Sequence, residues 1–252
     1  MKNIITTATL LAAGTLAMNA AVTIWEDAHK TASGTSVASW DVTSSGLTWG
    51  DSQDESVIFT INYTTLDASK SYALFSMKDA TYNGLGAVAI KDGNISLINW
   101  TGNPPTEPFT ATQALSGITA TSDLTFVFSR TVASRISGGQ VTLKVYADGN
   151  FDNAVVELTG RDKFYFGGKT WQKLNFGGTS ETSYTGNVAN VMPANNAAQE
   201  FSLLGAGYSI GELTTGNLKS YYNSAVPEPS SFGLLAGLGA LALVGARRRR
   251  RQ

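Results

Sequence analysis

The chain has 252 residues, of which 42% are hydrophobic and 15% are charged, with 26 glycines, one histidine and no cysteine. This composition predicts a single folded domain of about 200 residues and argues against a disordered protein or a coiled coil. Residues 22–226 include 12 basic and 18 acidic residues, a net charge of −6 that disfavours nucleic acid as a partner. The lack of cysteine excludes disulfides, thiolate metal sites and a cysteine nucleophile.

The N-terminus has the pattern of a secretory signal peptide. Lys2 precedes an uncharged, largely apolar run over residues 4–17, and small residues follow at Ala20 and Ala21. This order predicts a signal peptide over residues 1–21 and export through the Sec translocon, with cleavage after Ala21 or, alternatively, after Ala20. A membrane anchor or a buried helix is the other interpretation, but the run is shorter than the ~20 residues that a membrane span needs.

A second signal occupies residues 226–252. It begins Val-Pro-Glu-Pro-Ser, continues with 15 uncharged residues over 232–246 and ends in a cluster of arginines. As a transmembrane helix the 15 residues would cover ~22 Å, and snorkelling arginines can close the gap to the ~30 Å hydrocarbon core. The cluster would stop transfer and stay on the cytoplasmic side of the inner membrane; its members are Arg247, Arg248, Arg249, Arg250 and Arg251.

This three-part tail resembles the PEP-CTERM sorting signal of Gram-negative bacteria. Pro227, Glu228 and Pro229 match the Pro-Glu-Pro motif of that signal. The resemblance implies a membrane-embedded exosortase that recognises the motif, removes the tail and releases the protein to the cell surface or the extracellular matrix. The inner membrane would then hold the chain only transiently. A plain tail anchor with a proline-rich hinge is the alternative.

The residues between the two signals, 22–225, form one predicted domain in which hydrophobic residues alternate with a period of two. This period indicates β-strands with one face in the core and the other in solvent. In one strand, for example, Val57, Phe59, Ile61 and Tyr63 share the core face. The predicted strands are 57–63, 72–76, 86–91, 94–100, 124–128, 140–147, 155–158, 163–166 and 174–176.

Turn and cap residues complete this pattern. Asp92-Gly93 and Asp148-Gly149 predict two-residue hairpin turns, because both dipeptides tolerate positive φ. One short helix is expected through Leu218 and Tyr222, capped by the hydroxyl of Thr214 or Thr215. Many short strands with frequent glycine-rich turns predict an all-β fold, either a β-sandwich or a jelly roll.

The order of these elements resembles the laminin G-like, concanavalin A-like jelly roll. The strand that ends in Ala147-Asp148-Gly149 is followed by Phe166-Gly167-Gly168 or Phe176-Gly177-Gly178, as in that family. Leu74-Phe75-Ser76 and the segment 208–221 are also similar. The resemblance spans almost all of residues 22–222 and implies that a calcium ion at the sandwich rim is common, without identifying ligands. Another β-sandwich is the alternative.

The sequence contains no clear catalytic constellation, so we predict that the protein is not an enzyme. Glycan hydrolysis needs two carboxylates a few ångströms apart, but Glu157 and Glu200 stand alone, and the acidic residues of 51–55 fall in a predicted solvated turn. The single histidine, His29, cannot form a histidine-rich zinc site.

No cofactor is predicted, and calcium stays open as an alternative. Asp148, Asn150 and Asp152 have the alternate spacing of calcium ligands. However, Asn153 and Thr159 stand where a calcium loop of the EF-hand type has glycine and glutamate. We therefore interpret this segment as a hairpin turn.

Three tryptophans beside predicted loops are the candidate sugar-binding residues: Trp49, Trp100 and Trp171. A flat indole can stack on the C–H face of a sugar, although tryptophans at loop rims also commonly seal the core. The sequence thus predicts an exported, lectin-like protein for carbohydrate-related adhesion or matrix association, with extracellular polysaccharide or other glycans as partners. A purely structural matrix protein is the alternative, and a glycan hydrolase comes third.

Overall fold

The computed structural model describes residues 21–25, 31–32, 38–41, 53–67, 69–78, 85–100, 109–130, 140–161, 173–177 and 201–226. These residues form two antiparallel β-sheets, two short 3-10 helices (Tyr63–Thr65 and Leu115–Gly117) and one α-helix, α1 (Thr215–Ala225). The strands are β1 (Thr23–Ile24), β2 (Thr31–Ala32), β3 (Ala38–Asp41), β4 (Glu55–Asn62), β5 (Tyr72–Lys78), β6 (Leu85–Lys91), β7 (Asn94–Trp100), β8 (Phe109–Ala114), β9 (Asp123–Arg130), β10 (Gln140–Ala147), β11 (Val156–Arg161), β12 (Lys173–Phe176) and β13 (Phe201–Ile210).

The two sheets pack face to face as a β-sandwich. Sheet I has the order β1-β13-β4-β9-β10-β11, with β2 also paired to β13, and sheet II has the order β3-β12-β5-β6-β7-β8. The chain therefore passes from one sheet to the other several times, and neighbouring strands are not always consecutive in sequence. The predicted all-β, two-sheet architecture is confirmed.

Phenylalanines from both sheets meet at the centre of the core. Phe59 of β4 stacks on Phe126 of β9 with 4.8 Å between ring centroids, and it contacts Phe75 and Phe176 of sheet II at 5.7 and 5.3 Å. Each of these side chains is fully buried. Aromatic pairs of this kind contribute about 1 kcal/mol each beyond the burial of their area, so this cluster holds the two sheets together.

Most predicted strands are found, two of them with the predicted ends and the others with ends that differ by up to three residues. Strands β1, β2, β3, β8 and β13 were not predicted, and β13 is the longest of them. This ten-residue strand lies in the interior of sheet I, where it pairs with β4. Gly205 and Gly207 interrupt its hydrophobic alternation, and glycine weakens a strand signal. The predicted strand 163–166 lies outside the described residues, as do residues 1–20 of the predicted signal peptide and the tail after Val226.

Two predictions at the ends of β4 are wrong. Tyr63 does not continue the core face of the strand, because β4 ends at Asn62, whose side-chain oxygen accepts a hydrogen bond from the Thr64 amide and starts a 3-10 helix. At the other end Glu55 is not in a solvated turn. It is the first residue of β4, is buried, and accepts a hydrogen bond from the Gln53 side chain.

The outer face of β4 and β9 was predicted to be exposed to solvent, and this prediction is also wrong. Helix α1 covers that face, and Ile58 and Val127 pack there against Leu218, Tyr221 and Ala225. Both faces of these strands are therefore buried.

The expected helix is confirmed, together with its cap. The Thr214 hydroxyl accepts a hydrogen bond from the Asn217 amide, while the Asn217 side chain accepts one from the Thr214 amide. This reciprocal pair is a capping box, which satisfies two backbone donors at the helix start. Near the other helix end, Ala225 lies so close to Gly205 of β13 that a Cβ on the glycine would be only 2.9 Å away.

The two-residue hairpin turn at Asp92-Gly93 is confirmed, since Lys91 pairs with Asn94. The prediction for Asp148-Gly149 is wrong in length: these residues form a tight turn after β10, but eight residues, 148–155, connect β10 to β11. The two turns have nearly the same conformation. Asp92 and Gly93 have φ angles of 50° and 72°, and Asp148 and Gly149 have φ angles of 52° and 69°. Their surroundings differ, because a Cβ on Gly149 would lie 2.8 Å from the Tyr222 ring of α1, whereas a Cβ on Gly93 would meet nothing within 4 Å. The second turn is therefore the one against which α1 packs.

This difference predicts unequal costs for the same substitution. Gly93→Ala should lower the free energy of unfolding by about 1 kcal/mol, the cost of placing a Cβ at positive φ. Gly149→Ala should cost about 2 to 3 kcal/mol, since it adds steric overlap with Tyr222. Urea denaturation of residues 22–226 measures both, and equal losses would show that α1 does not pack tightly on this turn.

Candidate functional site

A cavity of about 670 Å³ opens at the end of the sandwich where β4 ends and β9 begins, here called the pocket end. Its volume lies within the range of small-molecule binding sites. It is bounded by the first 3-10 helix, the turn between β6 and β7, and the second 3-10 helix. The lining residues are Tyr63, Thr64, Leu66, Asp67, Tyr72, Ile90, Asp92, Gly93, Asn94, Ala114, Leu115, Ser116 and Ala120.

One wall of the pocket is held by hydrogen bonds to the strands behind it. The Tyr63 amide donates to the carbonyl of Ser122 at 2.9 Å, just before β9. Four residues later the Asp67 amide donates to the hydroxyl of buried Tyr72 at 2.8 Å. These two bonds fasten residues 63–67 at both ends, so the position of this wall is determined by the sheets.

The opposite wall is built on the β6–β7 turn. The Leu115 amide donates to the Gly93 carbonyl at 2.8 Å, which places the second 3-10 helix over the turn. The Asn94 side chain donates to the Asp92 carbonyl at 3.0 Å. The positive φ of Asp92 and Gly93 thus determines where this wall stands.

The pocket combines an apolar interior with a polar rim. The half-buried ring of Tyr63 packs on the core beside Leu66 and Ala120, and Ile90 and Leu115 are buried. The exposed side chains at the rim are those of Thr64, Asp67, Asp92 and Ser116.

The rim carries negative charge. Hydrogen bonds from the Ser69 side chain and backbone lower the pKa of Asp67, so this carboxylate is ionised at neutral pH. No lysine or arginine is among the described residues that line the pocket, although Lys70 lies 3.9 Å from the Asp67 carboxylate outside it. This charge distribution disfavours anionic ligands.

The backbone of Trp100, one of the three predicted sugar-binding tryptophans, lies far from this pocket. Trp100 is the last residue of β7, paired with Leu85, and therefore lies about 20 Å along the hairpin from the Asp92-Gly93 turn. Trp49 and Trp171 lie outside the described residues, as does His29.

The sequence did not identify the residues that line the pocket: Asp92-Gly93 was predicted only as a turn and Tyr63 only as a core residue. Asn62, a residue type that is rare in strands and common as a helix cap, is the signal that the strand ends before Tyr63.

The segment with calcium-like spacing is a turn whose acidic groups have other partners. Both carboxylate oxygens of Asp148 accept hydrogen bonds from Thr121, and one also accepts from Ser122. Despite some desolvation, these donors and the Asp123 amide lower the pKa of Asp148 to about 2. Asp152 pairs with Lys219 of α1 at 3.3 Å. Across the described ranges, no three or more acidic, histidine or cysteine side chains group together as metal ligands.

The separate carboxylates considered for hydrolysis remain separate where the structure describes them. Glu157 of β11 is exposed and pairs with Lys144 at 3.4 Å on the outer face of sheet I. Asp54 and Glu55 lie at the end of β4 away from the pocket, and Asp51 and Glu200 lie outside the described residues.

Asp123 is the buried counterpart of Asp148 at the pocket end. Its Oδ2 accepts hydrogen bonds from the Tyr222 hydroxyl at 2.7 Å and from the Ser122 hydroxyl at 2.9 Å. Its Oδ1 is buried and, within the described part of the chain, has no hydrogen-bond partner. Burial raises the pKa of Asp123, and the nearby Asp148 charge adds to that effect.

The two aspartates should therefore affect stability in opposite directions as pH changes. The lowered pKa of Asp148 means that its contribution is present above about pH 4 and is lost as pH falls towards 2. The raised pKa of Asp123 means that its contribution is present below pH 3.8 and is lost as pH rises through the folded-state pKa.

Asparagine substitutions test this difference, because they remove the charge and keep the size. Asp148→Asn should lower the free energy of unfolding at pH 7 by about 1 to 2 kcal/mol, and by less near pH 3. For Asp123→Asn, the free energy of unfolding relative to that of the unsubstituted protein should be more favourable at pH 7 than at pH 3. Urea denaturation at both pH values measures these differences. A larger loss for Asp123→Asn at pH 7 than at pH 3 would contradict the assignment.

The folded domain, called the body below, ends at Val226, where a sequence motif begins. The Val226 amide bonds to the Tyr222 carbonyl at the end of α1, and Val226 is buried. Residues 225–251 match the PEP-CTERM protein-sorting motif. The chain carries a PEP-CTERM sorting signal. This signal implies an exported surface protein that is anchored in the membrane by its C-terminal tail until exosortase processes it. Pro227, Glu228, Pro229 and the five arginines, Arg247 to Arg251, fall within the matched segment.

Among the residues that the structure describes, none of the helices is long and apolar enough to cross a membrane. The predicted transmembrane segment 232–246 lies outside the described residues.

Solved structures of low sequence identity are similar to this chain. The receptor-binding domain of botulinum neurotoxin D has a TM-score of 0.46 and 13% identity, over 82% of this chain and 48% of that one. The carbohydrate-binding module CBM40 of the Ruminococcus gnavus IT-sialidase has a TM-score of 0.42 and 11% identity, over 76% of this chain and 96% of that one. The chain thus spans about half the length of the toxin chain. No curated protein sequence matches it significantly.

Proposed function

We propose that this protein is exported through the Sec translocon, processed by exosortase, and retained at the cell surface or in the extracellular matrix, where it binds sugar units of extracellular polysaccharide. Its role is carbohydrate-related adhesion or matrix association, without catalysis. The pocket carries this proposal, because it combines an aromatic and apolar interior with exposed carboxylate, hydroxyl and amide groups.

The chemistry of the pocket suits a pyranose ring. A sugar has an apolar C–H face that can lie against the half-buried ring of Tyr63 and the side chain of Leu66. Its hydroxyls can bond to polar groups at the rim such as Asp92, Asn94 and Ser116. A small number of convergent polar groups around an apolar interior is typical of a small-ligand site.

The charge of the rim supports a preference among sugars. Asp67 is ionised at neutral pH and no described lining residue is basic. Acidic sugars would therefore meet repulsion from this carboxylate, and the nearby Lys70, which pairs with Asp67, is not among the described lining residues. The expected ligands are neutral sugars or amino sugars.

Glycan binding tests the pocket. Purified residues 22–226 should bind neutral or amino-sugar polysaccharides from a broad panel more tightly than uronic or sialic acid polymers. Tyr63→Ala should weaken binding by about tenfold, equivalent to about 1.4 kcal/mol, because it removes the stacking surface. Tyr146→Ala is the matched control, since Tyr146 is also a half-buried tyrosine but lies on the outer face of β10. It should bind normally.

The same panel separates the alternatives. A loss of binding caused by Trp49→Ala, Trp100→Ala or Trp171→Ala, with Tyr63→Ala unaffected, would assign the site to the tryptophans predicted from the sequence. Parallel measurements with calcium and with a chelator show whether a metal takes part. No binding by well-folded protein would favour a purely structural matrix role.

Sorting has an independent test in the motif itself. Replacing both Pro227 and Pro229 with alanine should leave the body folded and stop removal of the tail, because both prolines belong to the Pro-Glu-Pro motif within the matched segment. Immunoblots of membrane and extracellular fractions measure the uncleaved form. Unchanged tail removal and delivery would contradict processing by exosortase.

A further inference from the structure

Helix α1 returns the chain to the pocket end of the sandwich. Strand β13 starts there, where the Ser202 amide donates to Thr65 beside the pocket wall at 3.2 Å, and it runs away to Ile210. Helix α1 then runs back over sheet I for 11 residues, about 16 Å. Ala225 packs on Gly205, which pairs with Thr60, two residues before the end of β4.

Contacts at the last turn of α1 confirm where the helix ends. The Tyr222 hydroxyl donates to Asp123, the first residue of β9, at 2.7 Å. Its ring lies against Gly149, in the turn that follows β10. Both partners belong to the pocket end, and Asp123 is three residues from the lining residue Ala120. The chain therefore leaves the folded body, after Val226, on the outer face of sheet I and towards the pocket end of the sandwich.

The connection from this point to the predicted membrane segment is short. Val226 is 5% exposed and hydrogen-bonded to the helix, so it is fixed to the folded body. Five residues, 227–231, separate it from the apolar run that starts at Phe232. Even when fully extended they span at most about 18 Å. The headgroup layer occupies about 5 to 7 Å of this distance.

We infer that the pocket end of the sandwich faces the lipid headgroups while the tail is attached, and that removal of the tail exposes the pocket to polymeric glycans. The partner of this end of the protein before processing is therefore the membrane surface. The ligand-related part of this inference rests on the proposed function, whereas the orientation of the body does not. Processing would then activate binding as well as release the protein.

Cysteine labelling tests the orientation without any sugar. The natural chain has no cysteine, so a single one can be introduced at either end. Ser116→Cys places it on the exposed rim of the pocket, and Glu212→Cys places it at another exposed position beyond β13, at the opposite end. The full chain is reconstituted in lipid nanodiscs and labelled with a polyethylene glycol maleimide. Labelling with N-ethylmaleimide corrects for the intrinsic reactivity of each thiol.

The corrected rate at Ser116→Cys should be about tenfold lower than at Glu212→Cys, because the short tether keeps the pocket end against the bilayer. Inserting about 20 glycine and serine residues between Val226 and Pro227, with an r.m.s. length of about 25 Å, should remove the difference. Equal rates without the insertion would overturn the inference. So would a difference that persists with it.

Glycan binding by nanodiscs that carry the cysteine-free chain, with and without the insertion, then distinguishes this inference from the proposed function. If residues 22–226 bind a polysaccharide, the nanodisc form should bind it about tenfold more weakly than the form with the insertion. If residues 22–226 bind no polysaccharide, the proposed ligand class is wrong, while the labelling result still decides the orientation. Equal binding by both nanodisc forms would overturn the exposure of the pocket by processing.

Discussion

Helix α1 lies across the outer face of sheet I, where Tyr221 and its neighbours meet Ile58 and Val127. The Tyr221 hydroxyl is 3.2 Å from the hydroxyl of Thr60, which also bonds to Thr125 at 2.9 Å, so these three buried hydroxyls on the covered face are linked by hydrogen bonds. The helix can approach closely because Gly205 and Gly149 present no side chain to Ala225 and Tyr222. This packing gives sheet I a second buried face. It also determines where the sorting signal leaves the body.

The pocket depends on the same end of the sandwich through backbone interactions. Each of its two opposing walls contains a short 3-10 helix that follows a strand and is hydrogen-bonded to another part of the chain. The amide of Tyr63 is fixed to the residue before β9, and the amide of Leu115 is fixed to the β6–β7 turn. A concave, partly apolar surface with a charged rim results, even though neither 3-10 helix could form it alone.

Two aspartates at this end show how the tertiary environment divides similar residues into different roles. Asp148 is exposed and surrounded by donors from residues 121–123, so it is stable as an anion. Asp123 is buried below it and bonded to Tyr222 of α1, so its charge is disfavoured. Together they join the β9 start, the β10 turn and the last turn of the helix. This junction links the sheet, the pocket end and the point where the tail begins.

Local sequence patterns were sufficient to predict much of the fold of this protein. Alternation with a period of two determined the strands that pair in the core, Asp-Gly dipeptides determined both tight turns, and the threonine cap determined the start of α1, because each depends on residues close in sequence. The C-terminal signal was also readable, because its three parts are contiguous. Tertiary structure alone decided that α1 covers sheet I, that β13 lies inside that sheet despite its glycines, and that Tyr63 lines a pocket. Each of these depends on contacts between residues far apart in the chain, which no local periodicity records.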